Sequence, residues 1–117
     1  MELIYYLYSI RNKEWIDYFK QAIESPIEEM VLLAARMITK IKWDEAVQIL
    51  IERVKNIPSY KVGCNFHKQM LYNLAKSGNK KALNFISCYP INIKTFFPWQ
   101  KNNLKKYVSE LLRDAKK

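Results

Sequence analysis

Apolar and polar positions recur along this chain in the same phase three times. When Trp15, Ala46 and Ala82 are aligned, the spacings are 31 and 36 residues. One position later stand Ile16, Val47 and Leu83, and four positions later Phe19, Leu50 and Ile86. Eight positions earlier stand Leu7, Ile38 and Leu74. Polar residues occupy the position before each anchor (Glu14, Glu45, Lys81) and the position two after it (Asp17, Gln48, Asn84). Apolar residues at 0, +1 and +4 with polar ones at −1 and +2 form a stripe of 3.6-residue period, which is helical.

The pattern predicts a short helix at 2–10 and further helices at 13–24, 26–41, 44–56, 61–77, 79–88 and 99–115. Breakers agree with it, since the chain has only two glycines and four prolines. Tight turns fall at "RNK", "IKWD" and "SGN". Gly78 suits the left-handed residue that closes a helix. Asp44 and Asn79 suit helix caps, whose side-chain oxygens accept free amides. Ser25, Pro26 and Glu28 read as cap, first helical residue and capping-box acid, and Pro58 ends the fourth helix. In the third helix Met30, Leu33, Ala34, Met37, Ile38 and Ile41 form the expected buried stripe. Leu104, Val108, Leu111 and Leu112 do the same in the last.

The expected architecture is all-α, with about seven helices in one domain spanning 1–117. Its repeat-like units are 3–24, 26–56 and 61–88, with a C-terminal capping helix at 99–115. The strings "AARMITKIKWDEAVQILIERV" and "MLYNLAKSGNKKALNFI" resemble HEAT-type helical repeats, in which a small residue such as Ala46 or Ala82 opens the second helix of each hairpin. The first unit departs from the pattern by placing Trp15 there. The resemblance implies a short solenoid, or right-handed array of antiparallel helix hairpins. An ordinary helical bundle is the competing reading of the same periodicity.

Charge adds a second asymmetry. The net charge is +9, but residues 1–57 carry −1 and residues 58–117 carry +10. Between Glu52 and Glu110 there are eleven basic residues and no acidic one. Such a field draws in acidic partners. The basic residues are mostly lysines, which serve solvation more often than bidentate phosphate recognition. A partly acidic protein surface is therefore preferred as partner, nucleic acid is the alternative, and plain solubility is the third reading.

Chemistry is sparse. His67 is the sole histidine, and Glu28/Glu29 and Asp44/Glu45 fall in first helical turns, where acids favour the positive end of the helix dipole. Cys64, His67 and Cys88 fall short of the four ligands of a structural zinc site. Two glycines preclude a glycine-rich phosphate loop. No catalytic residue, metal or cofactor is expected. Two distant cysteines suggest free thiols in a reducing compartment. The N-terminus lacks the basic and small-residue flanks of a signal peptide. The apolar run "MVLLAARMI" is well short of the ~18 residues a membrane span needs. A cytoplasmic protein without membrane association is the expectation.

If hairpins stack, the exposed positions of the second helices, among them Asp17, Gln48, Glu52, Lys81 and Asn84, line a binding ledge running from acidic to basic. In the segment "YPINIKTFFPW" the aromatics cover the end of the core, or else Trp99, with Lys101 and Lys105 beyond it, anchors a partner. In size, helical character and lack of catalytic equipment the chain is similar to bacterial immunity proteins, including those of contact-dependent growth inhibition. That resemblance implies binding of a cognate toxin, a nuclease among the candidates, through a partly acidic surface of the toxin.

Overall fold

A computed structural model describes residues 14–40, 44–95 and 97–115. Within them are six α-helices and no strand. They are α1 (Trp15–Ile23), α2 (Glu28–Ala35), α3 (Asp44–Lys55), α4 (Asn65–Lys76), α5 (Lys80–Asn92) and α6 (Pro98–Ala115). Short 3-10 turns at Arg36–Thr39 and Ser59–Lys61 extend α2 and precede α4. The expected helix at 2–10 and the "RNK" turn lie outside the described residues.

The anchors are buried as the periodicity requires. Trp15, Ala46 and Ala82 are inside, and so are Phe19, Leu50 and Ile86, with Ile38 and Leu74 one helix earlier. The "SGN" turn also forms as expected. Gly78 has φ +68°, a conformation that costs a residue with a Cβ about 1–2 kcal/mol. Asn79 then accepts the amides of Lys81 and Ala82 at 2.9 and 3.2 Å, satisfying two donors at the start of α5.

Neighbouring helices alternate. α1 packs on α3 and α3 on α5, while α2 packs on α4 and α4 on α6. Hydrogen bonds give the directions. Asn79 at the start of α5 donates to Asp44 Oδ1 at the start of α3 (2.8 Å), and Tyr89 late in α5 donates to the Val54 carbonyl late in α3 (3.2 Å). These two helices therefore run parallel. Arg53 Nε, near the end of α3, reaches the carbonyl of Ile23, the last residue of α1, at 3.1 Å. In the other set, Glu28 at the start of α2 pairs with Lys61 just ahead of α4 (3.1 Å). Gln100 in the first turn of α6 donates to the carbonyls of Ser59 and Val62. The thinnest dimension is 18 Å. Helix axes pack about 8–10 Å apart, so this thickness accommodates two layers and not three.

Several boundaries differ from the periodic reading. The helix expected at 26–41 starts at Glu28. Ser25 Oγ accepts the amide of Ile27 (3.1 Å) in a turn instead of capping the helix, and Ile27 is the N-cap. After Ala35 the helix tightens into the 3-10 turn. Its buried face is rotated too. Of the expected stripe Ala34, Met37 and Ile38 are buried, but Met30 and Leu33 are 39 % and 45 % exposed, and Val31 and Ala35 are buried in their place. The segment EEMVLLAA is apolar on most sides, so periodicity admits two phases. Packing against α1 and α4 selects the one that presents small alanines. Ile41 lies outside the described residues.

The helix expected at 61–77 begins at Asn65, because Gly63 turns the chain with φ +85°. Conversely, α5 continues past 88 to Asn92 and carries Pro90 in its last turn. A proline there removes a single late hydrogen bond, and the helix ends two residues on. Asp44 is the first residue of α3. α6 opens with Pro98 in the first helical position. Gln100, three residues after the cap, accepts the Phe97 amide at 2.6 Å, the glutamine half of a capping box.

The rotated face is testable with one chemical change at two sites. Leu50→Ala should destabilise the protein by about 2–5 kcal/mol. Leu33→Ala should cost less than ~1 kcal/mol, because a half-exposed leucine leaves no cavity. Urea unfolding of the two variants measures both.

Candidate binding surfaces

The odd-numbered helices present the polar positions of the repeated stripe. Asp17 on α1, Glu52 on α3, and Lys81 and Asn84 on α5 are exposed, and Gln48 on α3 is half-buried. Adjacent packing of α1, α3 and α5 puts all five in one helix layer. Gln48 Nε2 donates to Glu52 Oε1 at 2.8 Å, and Glu52 lies 3.6 Å from Lys55. The middle of the ledge is thus occupied by its own polar contacts.

Trp99, Lys101 and Lys105 belong to α6, in the other layer. Lys105 is exposed. Lys101 Nζ donates to the Ile91 carbonyl at 3.0 Å, so its charge sits at the C-terminal end of α5, where the helix dipole favours a cation. Trp99 is 59 % exposed and Phe97 47 % exposed. Their rings stack at 5.7 Å with 12° between planes. Covering of the core end by these aromatics is therefore not what Phe97 and Trp99 do. Tyr89 alone of the described aromatics in that stretch is buried. Phe96 lies outside the described residues.

Half of the ten lysines between Glu52 and Glu110 have partners within the chain. Lys61 pairs with Glu28 at 3.1 Å, and this bond raises the lysine pKa. Lys68 lies 5.4 Å from the Tyr107 ring and Lys76 5.7 Å from the Tyr72 ring. Lys61 precedes the Gly63 turn and only Lys68 is on α4, so the two do not share a helix face.

His67 is completely buried, and its tautomer follows from its partners. The Gly63 amide donates to Nδ1 at 3.0 Å, so Nδ1 is the acceptor. In the neutral ring the proton is then on Nε2, 3.0 Å from the Tyr89 hydroxyl oxygen. Tyr89 passes its own proton toward the Val54 carbonyl. Every member of this relay is satisfied. Burial lowers the histidine pKa to about 4 and pushes the tyrosine well above the usual phenol range. The Tyr89 ring also stacks on Phe85 at 4.9 Å and meets the His67 ring edge-on.

This relay escaped the sequence pattern. The spacing of Phe85 and Tyr89 on one helix face is legible, but nothing local couples Tyr89 to His67 or to Val54. Among the described residues no group of three or more His, Cys, Asp or Glu side chains is placed to hold a metal ion. Nor is any described helix long and apolar enough to cross a membrane.

His67 makes stability depend on pH. Its folded pKa lies below the unfolded value of 6.5, so the contribution is whole above pH 6.5, declines as pH falls, and is gone below about 4. The full loss is about 3 kcal/mol. Denaturant midpoints measured between pH 7.5 and 4 should show this decline, and His67→Gln should flatten it, leaving the part due to carboxylates. Tyr89→Phe, which strands the Nε2 proton, should cost about 1–3 kcal/mol at neutral pH.

No protein-family model matches the chain, and comparisons with curated proteins and with solved structures find no match either.

Proposed function

We propose that this chain is a non-enzymatic protein-binding module, a HEAT-like array of helix hairpins whose partner presents a partly acidic surface. The exposed, stacked Phe97–Trp99 pair carries the reading. Exposed aromatics, tryptophan above all, are among the side chains that dominate protein interfaces when a partner buries them. Here they open α6, in the half of the chain where residues 53–109 include no acid. The alternating parallel contacts of odd and even helices support the array. The fully engaged state of His67 supports the absence of catalysis, since neither ring nitrogen is open to an external substrate.

Within this class, an immunity-type inhibitor that binds and blocks a cognate bacterial toxin in the cytoplasm is the form we favour. The chain is small, its described buried side-chain polar atoms are all satisfied, and its surface carries a one-sign half that would steer encounter. A polyanion-tracking surface is less well supported, because Lys61, Lys68, Lys76 and Lys101 are engaged within the chain.

Co-expression with the product of the adjacent open reading frame should yield a stable complex that survives gel filtration. Replacing Phe97 and Trp99 together by alanine should weaken it by about 2 kcal/mol or more, roughly 30-fold in Kd. Lys105→Glu should slow association more than it speeds dissociation. Binding to RNA or heparin that collapses between low and moderate salt, with no protein complex, would replace this reading with a nucleic-acid one.

A further inference from the structure

Beside the end of α3 and the second half of α5 lies a cavity of ≈ 570 Å³. That volume is within the range of small-molecule sites, ~300–1,000 Å³. Phe85, Tyr89, Ile57 and Ile93 supply its apolar lining, and Lys55 and Lys94 supply its charge. No carboxylate is among its described lining residues.

The aromatic wall is preorganised. Phe85 and Tyr89 stack on one another, and the Tyr89 hydroxyl is tied into the core through His67 and Val54. The cavity therefore meets ring faces and edges, with the hydroxyl turned to its buried partners. Lys55 Nζ is 6.0 Å from the Phe85 ring centre, which sets a cation beside the apolar wall. Its ion pair with Glu52, at 3.6 Å with both side chains more than half exposed, is of the weak surface kind that a better anion displaces. An apolar cleft lined by two ammonium groups, with no acid among its described lining residues and Glu52 only loosely paired to one of them, is complementary to an apolar body ending in an anion.

We propose that this cavity is a binding site for a small aromatic carboxylic acid, its ring against Phe85 and Tyr89 and its carboxylate facing Lys55 and Lys94. The assignment uses none of the residues of the Phe97–Trp99 surface and stands apart from the protein-binding reading.

A matched pair of probes tests it, naphthaleneacetate and its neutral amide naphthaleneacetamide, titrated into the full chain by calorimetry. The acid should bind saturably and about tenfold more tightly than the amide, the difference being the charge-assisted contacts. The double variant Lys55→Met/Lys94→Met, folded by circular dichroism, should lose that preference while still binding both probes. Glu52→Gln, which releases Lys55, should tighten the acid and leave the amide unchanged. Cys88 also lines the cavity, and its thiol is exposed. The acid should therefore slow its alkylation but not that of Cys64. Equal affinity for acid and amide, a preference unchanged in the double variant, or no saturation at millimolar concentration would each overturn the proposal. So would saturable binding by a peptide ending in tryptophan but not by the free acid, which would move the occupant to a partner protein.

Discussion

Tyr89 carries a hydroxyl into a region closed to water, and a buried hydroxyl left without partners costs about 1–3 kcal/mol. That constraint ties three helices together. α5 must present the group where α3 offers the Val54 carbonyl and where α4 offers the His67 ring. His67 must in turn receive a proton from the Gly63 amide, which is available because the left-handed Gly63 turn ends just before α4 begins. One tyrosine thereby fixes the register of α5 against both layers. The same bonds anchor one ring of the cavity's aromatic wall, Tyr89, on which Phe85 stacks.

The basic half of the molecule shows how a one-sign charge excess is tolerated. Lysines there are spread over different uses: an ion pair with the acidic half, positions near aromatic rings, and a helix C-terminus. Each is weak singly, since exposed pairs and exposed cation–ring contacts contribute at most about 1 kcal/mol. These contacts leave the net positive field in place. A field of that kind acts on the encounter and orientation of charged partners more than on affinity.

The exposed Phe97 and Trp99 have a structural reason for standing where they do. Gln100 occupies the buried position at the start of α6 that an aromatic could have filled, because it satisfies the Phe97 amide and two carbonyls of the 59–62 turn at once. Gln100 is in phase with Leu104, Val108 and Leu111 on the buried side of α6, and Trp99, one position earlier, is turned off that side.

The sequence by itself determined the helical class, the phase of α1, α3 and α5, the turn at Gly78 with its Asn79 cap, and the uneven charge. All of these rest on interactions within a few residues: helical periodicity, side-chain capping of nearby amides, and the conformational freedom of one glycine. The tertiary structure alone decided which side of α2 faces inward, because that helix is apolar on most sides and its neighbours select the small alanines. It alone set the meeting of His67 with Tyr89, the burial of Gln100 and the meeting of Lys55 with Phe85. Those contacts join residues about 20 to 40 positions apart, and no local pattern encodes the distances that packing brings to zero.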